Sequence, residues 1–412
     1  MASTAGLPWL LVLTGVIGTR CAVEPHRLLL ERWGVDLVLA AVLAAWLPAA
    51  LFWLKRRRRF VAAASLLVPI ALVMPHLTPP LWGDEPYHLA LLESAVADGD
   101  LDLTNQLDPD RNAAAGHFLA AERFFHSPVL AALLFPGFWL AGRTGALFLL
   151  ALAGAGVVAL SLGPAARRLG LRRHAVGAAA VLAVVSMPLA TFSSQIWAEV
   201  PGALALAVAL ALPVAAPWGR VAGVVVAVVA TAIKTRLALI LFPAALAHWW
   251  RGDRRQRMIG AAVAAGGAML ALGAGWILMG HPFGLYRRVH HLLPTDLRQA
   301  MTTVGGLVFD VAGGMAWSAP LWLVALLVLP RLWRRGDVRV QAAMLGGAAT
   351  VAALLHSFEW YGGGSPAARY LVPMLPVVLL AWAELAGRPD GRRRLLVALI
   401  PAALLPWWAL VT

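Results

Sequence analysis

The chain has 412 residues, 61% hydrophobic and 13% charged, with a mean hydropathy of +0.77. This composition excludes an ordinary soluble fold and places the chain in the polytopic membrane class. The net charge of +14 lies mostly in short basic clusters between apolar runs, which reads as cytoplasmic anchoring rather than nucleic-acid contact. Cys21 is the only cysteine, so internal disulfides and cysteine-based metal sites are excluded.

The first apolar run, near residues 5 to 19, lacks a basic leader and an A-x-A site, and is read as an uncleaved helix. The clusters KRRRR (55 to 59), RRLGLRR (167 to 173), RGDRRQR (251 to 257), RLWRRGDVR (331 to 339) and GRPDGRRR (387 to 394) are taken as cytoplasmic. Letting each run of about 14 to 23 apolar residues cross once then predicts an all-α, polytopic transmembrane protein of about 13 spans. The crossings fall near 5 to 19, 35 to 54, 60 to 77, 143 to 163, 175 to 190, 201 to 217, 220 to 233, 237 to 250, 258 to 280, 315 to 330, 340 to 356, 371 to 386 and 395 to 411. Residues 128 to 141 do not fit the odd count and are read as a juxtamembrane or re-entrant helix. Tryptophans near the ends of runs, Trp53, Trp82, Trp197, Trp249, Trp250, Trp333 and Trp360, suit interfacial belts. The organisation is two N-terminal helices (1 to 59), a core (60 to 386) with an outer loop at 78 to 127, and a C-terminal helix (387 to 412) with no soluble domain.

Nearly every acid or histidine that topology does not explain falls on the outer face. In LWGDEPYHLALLE the run Pro86 to Ala97 reads as a helix, with Pro in its first turn, Asp84 or Glu85 as N-cap, and Gly99 ending it. A carboxylate there is fixed, ionised and partly shielded from water, as a general base for a hydroxyl requires. The competing role is a simple acidic cap.

In the next outer turns, His126 in RFFHSPVL is a phosphate or metal contact or an interfacial histidine, and Glu199 in SSQIWAEVPG is a helix cap or a hydroxyl contact. Lys234 and Arg236 split an apolar stretch in TAIKTRLAL. Each cation costs roughly 2.5 to 3.5 kcal/mol at mid-bilayer, so they belong at a turn or in a polar cavity. There they either bind an anionic leaving group such as a lipid phosphate or snorkel to headgroups. The stretch GLYRRVHHLLPTDLRQ reads as an amphipathic surface helix holding headgroups. In FEWYGGGSPAARYLVP, Glu359, Trp360, Arg369 and Tyr370 flank three glycines that allow close backbone approach; a ligand loop and an interfacial loop both fit. Signatures of ATP hydrolysis, zinc proteolysis and serine hydrolysis are missing from the sequence.

Taken in order, GDEPYHL, HSPVLAALLFPGFWLAG, SSQIWAEVPGALAL, KTRLAL, GLVFD and GGGSPAARYLVPMLP resemble bacterial members of the GT-C superfamily of integral membrane glycosyltransferases. That superfamily includes protein O-mannosyltransferases and the aminoarabinose transferases of lipid A. The resemblance covers roughly residues 60 to 386. It implies inverting transfer of a sugar from a polyprenyl-phosphate donor to a glycan, lipid or protein acceptor at the outer face of a bacterial plasma membrane. By the same resemblance, Asp84 is the general base, Glu85 a supporting carboxylate for acceptor or cation, and Lys234, Arg236 and Arg369 the phosphate ligands. Some relatives need a divalent cation, but the sequence supplies no clear ligand set. The rival reading is a lipid-linked-sugar flippase or transporter without catalysis, which predicts paired internal repeats.

Overall fold

The structure is a computed structural model that describes residues 84–100, 103, 127–213, 216–250, 252–279, 297–310, 314–355 and 369–390. The expected crossings at 5 to 19, 35 to 54, 60 to 77 and 395 to 411 lie outside the described residues, as do His126, Glu359, Trp360 and the segment 281 to 296.

The described residues form helices joined by turns and short extended segments, without strands. In chain order the helices are α1 (Glu85–Ala97), α2 (Val129–Leu160), α3 (Arg173–Val185), α4 (Met187–Ser193), α5 (Glu199–Ala211), α6 (Pro217–Ile233) and α7 (Ala238–Trp249). They continue as α8 (Arg254–Met279), α9 (Leu297–Phe309), α10 (Met315–Ser318), α11 (Pro320–Leu326), α12 (Leu329–Arg334), α13 (Val338–Leu355) and α14 (Leu375–Ala386). Among the described residues, three stretches are long and apolar enough to cross a membrane: Val129–Arg168, Val338–Leu355 and Arg369–Ala386. The helices Glu199–Ala211 and Pro217–Ile233 are apolar but shorter.

Local chemistry explains where several expected continuous runs break. The run 175 to 190 divides at Ser186, whose extended backbone (ψ 131°) precedes the Met187–Pro188 start of α4. The run 315 to 330 is three short helices, with Pro320 and Pro330 each in a first turn, where a missing N–H is harmless. The last stretch begins as a 3-10 turn, Arg369–Met374, containing Pro373, and only then becomes α14.

The segment 128 to 141 is helical and joins the next expected span within α2, but the chain bends sharply at Ala141 and Gly142. Gly142 has φ 57° and ψ −146°, a region open essentially to glycine alone. Beyond this elbow the two limbs touch backbone to backbone at Gly137 and Gly145, where a β-carbon on either would collide with the other's carbonyl.

Two apolar clusters hold these elements. The larger joins α3, α5, α7 and α14, with Trp382 buried and its Nε1 donating to the Leu321 carbonyl at 2.9 Å. The smaller packs α1 onto α2 through Tyr87, Leu91, Leu130 and Leu134, and reaches Ile196 and Ile233. That second cluster seats the tip of α1 against the starts and ends of the other elements that carry charge.

Candidate functional site

The sequence places acids and cations at the tips of four separate segments, and the fold brings four of those tips together. Asp84 precedes α1 as its N-cap residue, yet its side chain makes no capping hydrogen bond. Its Oδ2 instead accepts from Lys234 Nζ at 3.2 Å and from Arg369 Nη2. Glu199 is the first residue of α5 and the acid in its first turn. Its Oε1 accepts from Arg369 Nε at 2.8 Å and from Arg236 Nη2, with Lys234 Nζ at 3.9 Å. Asp84 therefore does not act as a side-chain cap, and Glu199, in the first turn of α5, gives its Oε1 to the cations.

Lys234 sits where the helix must stop. Its backbone is extended (φ −154°, ψ 119°) between α6 and the 3-10 turn Thr235–Leu237, so a break separates two helices that pack against each other. The expected turn between two short apolar runs is thus present, and its cations face acids from other segments. Aromatic rings cover the guanidinium faces: Arg369 lies over Trp197 at 4.4 Å and Arg236 over Tyr370 at 4.1 Å. Trp197 is fully buried, which corrects its assignment to an interfacial belt; it is a stacking platform in the core.

Burial within the cluster is graded. Glu199, Arg369 and Lys234 are 0%, 5% and 8% exposed, whereas Asp84 and Arg236 keep 18% and 22%. A buried ion network of this kind survives desolvation only when most of its donors and acceptors are matched. The cluster opens on the side of Asp84 and Arg236.

Glu85 turns the other way. Its Oε1 accepts from Arg143 Nε at 3.1 Å and Nη2 at 2.9 Å, and the Ile196 backbone N–H also donates to its carboxylate. Burial pushes its carboxyl above the usual glutamate range, against the opposing pull of Arg143. The two adjacent acids are thereby assigned to separate ion networks.

Arg143 went unread at the sequence level. The available signal was an arginine after a glycine, in LAGRTGA, between two apolar runs on the side that the expected topology depletes of cations. Trp197 carried no comparable signal, because a stacking partner beneath a guanidinium has no sequence spacing of its own. Among the described residues no three His, Cys, Asp or Glu side chains converge as a metal site. The class defined by fold and site is an all-α protein with membrane-compatible helices and a buried network of two carboxylates and three cations. Comparisons of the chain with family models, with curated proteins and with solved structures found no match.

Proposed function

We propose that the protein is an inverting glycosyltransferase of the GT-C type that moves a sugar from a polyprenyl-phosphate donor to an acceptor hydroxyl. The reaction takes place at the outer face of a bacterial plasma membrane crossed by about 13 helices. The observation that carries this reading is the shared contact of Asp84 with Lys234 and Arg369. It puts a candidate base and candidate phosphate ligands, drawn from chain positions 84, 234 and 369, at one point.

Chemistry follows from the charges. Among the described residues, Lys234, Arg236 and Arg369 outnumber Asp84 and Glu199 by one, so the described cluster has an excess of one positive charge. A polyprenyl phosphodiester carries one negative charge and neutralises it. In the transfer, the acceptor oxygen forms a bond to the anomeric carbon as the bond from that carbon to the phosphate oxygen breaks. The electron pair of the broken bond leaves on the phosphate, which becomes a dianion, and the acceptor proton passes to Asp84. With Asp84 neutral, the dianion is balanced in turn, so neither donor nor product state leaves an uncompensated charge in a water-poor site. Preorganised cations at the leaving group lower the barrier because charge grows there in the transition state.

Polarity along the bundle supports an outward-facing site. Glu199 and Arg369 begin segments whose far ends carry the interlocked basic loops: Arg168 donates to the Leu210 carbonyl, and Arg335 Nη2 donates to Glu384 at 2.6 Å. Cations gathered at the end opposite the site agree with a cytoplasmic location for that end.

The test is transfer by solubilised protein from a panel of polyprenyl-phosphate sugars, comparing wild type with Asp84→Asn. Loss of a general base predicts a rate about 10²- to 10⁴-fold lower with the fold retained. Transfer by the variant at the wild-type rate would remove Asp84 from the role of base.

A further inference from the structure

Among the described residues, buried polar atoms without a partner gather on one short stretch beside the ion network. Between residues 191 and 199 there are four: Thr191 Oγ1, Ser193 Oγ, Gln195 Oε1 and Glu199 Oε2. All four residues are at least nine-tenths buried. Unmet buried polar atoms are costly and uncommon in native proteins, so such a concentration asks for a ligand or for ordered water.

Other groups of the same stretch are already engaged. The Ile196 N–H serves Glu85, the Trp197 ring lies under Arg369, and the Ser194 hydroxyl donates to the Thr191 carbonyl at 2.7 Å. Glu199 is used on one oxygen only: Oε1 meets the cations, and Oε2 has no donor.

What these atoms lack identifies what they fit. Gln195 Oε1 and Glu199 Oε2 can only accept, and the two hydroxyls both donate and accept. Phosphate offers acceptors and negative charge, which suits the cations and is repelled by Glu199 Oε2. A polyhydroxyl ring offers several O–H donors in a small volume and suits the acceptors. We infer that the stretch from Thr191 to Glu199 is a polyhydroxyl subsite that holds the sugar of the lipid-linked donor, with Gln195 and Glu199 accepting its hydroxyls. This inference rests on the glycosyltransferase reading and adds to it the side on which the sugar is held, at the unshared oxygen of Glu199.

The experiment measures binding of two probes to the full-length protein in nanodiscs: a polyprenyl monophosphate and the same lipid phosphate bearing a hexose. Wild type is compared with Gln195→Leu, which removes the acceptor and retains bulk, and with Thr191→Val, which is isosteric and breaks no hydrogen bond made by that hydroxyl. The expected result is tighter binding of the sugar-bearing lipid by wild type, with about tenfold of that advantage lost in Gln195→Leu and a smaller part lost in Thr191→Val. Binding of the bare lipid phosphate stays unchanged in both. If the sugar adds no affinity in wild type, or adds as much in both variants, the stretch holds ordered water only and the inference falls. Failure of wild type to bind either lipid overturns the glycosyltransferase proposal itself, and this subsite with it.

Discussion

Asp84 and Glu85 are neighbours with opposite surroundings. Asp84 is partly open and shared between Lys234 and Arg369, whereas Glu85 is 1% exposed and held by Arg143. The pair was readable from sequence as a chemically unusual feature, because acids are scarce in this chain. Its division was not readable, since it depends on Arg143 arriving from the far side of the elbow. The same limit applies to Glu199, whose position before Pro201 suggests a cap, but whose carboxylate is taken by cations 37 and 170 residues away. Glu85 also gives a pH test. Its carboxyl sits above the unfolded value because burial disfavours the charged form, so the folded state binds a proton more readily than the unfolded chain. That contribution is full at low pH and declines as pH rises through the raised value. Thermal unfolding of wild type against Glu85→Gln from acid to neutral pH is therefore expected to show wild type losing stability relative to the variant as pH increases. A constant difference across the range would contradict the burial argument.

At the scale of elements, helix ends matter more here than helix middles. Periodicity and length located α1, α6, α7 and α13 to within a few residues, because long apolar runs leave few alternatives to helix in such a chain, but not α9, which lies in a stretch expected as an outer loop. Breaks inside runs were less legible: Ser186, Ala319 and the 3-10 turn at Arg369 depend on prolines whose effect, stop or tolerated kink, is settled by packing. The elbow of α2 is a fourth case. Sequence separated residues 128 to 141 from the following span by counting crossings, and the structure supplies the cause in Gly142 and the contact of Gly137 with Gly145. Because Arg143 follows directly, this elbow sets the approach of its guanidinium to Glu85. Gly142→Ala meets no steric neighbour within 4 Å, so any loss comes from the backbone alone. The expected destabilisation is about 1 to 3 kcal/mol, measured by thermal or denaturant unfolding. A variant as stable as wild type would show that residues 141 and 142 relax to another turn.

The whole molecule has a chemical direction. Beyond its elbow the stretch Val129–Arg168 runs from Arg143 to Arg168, the segment opened by α5 from Glu199 to the Leu210 and Leu212 carbonyls, and the last stretch from Arg369 to Glu384 and Gly387. Each starts at one of the two ion networks and ends among basic loops that bind one another: Arg168 Nε donates to Asp337 at 2.7 Å and Arg172 Nη1 to the Gly387 carbonyl at 3.1 Å. The loops 167 to 173 and 331 to 339, separate in sequence, are therefore one surface. Sequence showed the clusters but not their union, which is a property of the bundle. Helical rise places Glu199 only about 20 Å from the far end of α5, less than the roughly 30 Å hydrocarbon slab. On the proposed topology the network lies recessed below the outer headgroups, at the depth where a lipid phosphate drawn inward meets cations. Sidedness is open to direct measurement. With Cys21 replaced by Ser, single cysteines at Thr235, exposed between Lys234 and Arg236, and at Arg173, exposed on the basic surface, report on the two ends. A membrane-impermeant thiol reagent applied to intact cells is expected to label Thr235→Cys, and to label Arg173→Cys only after permeabilisation. Labelling of both from the same side, or of Arg173→Cys alone in intact cells, would reverse the direction of the bundle and take the ion network away from the outer face.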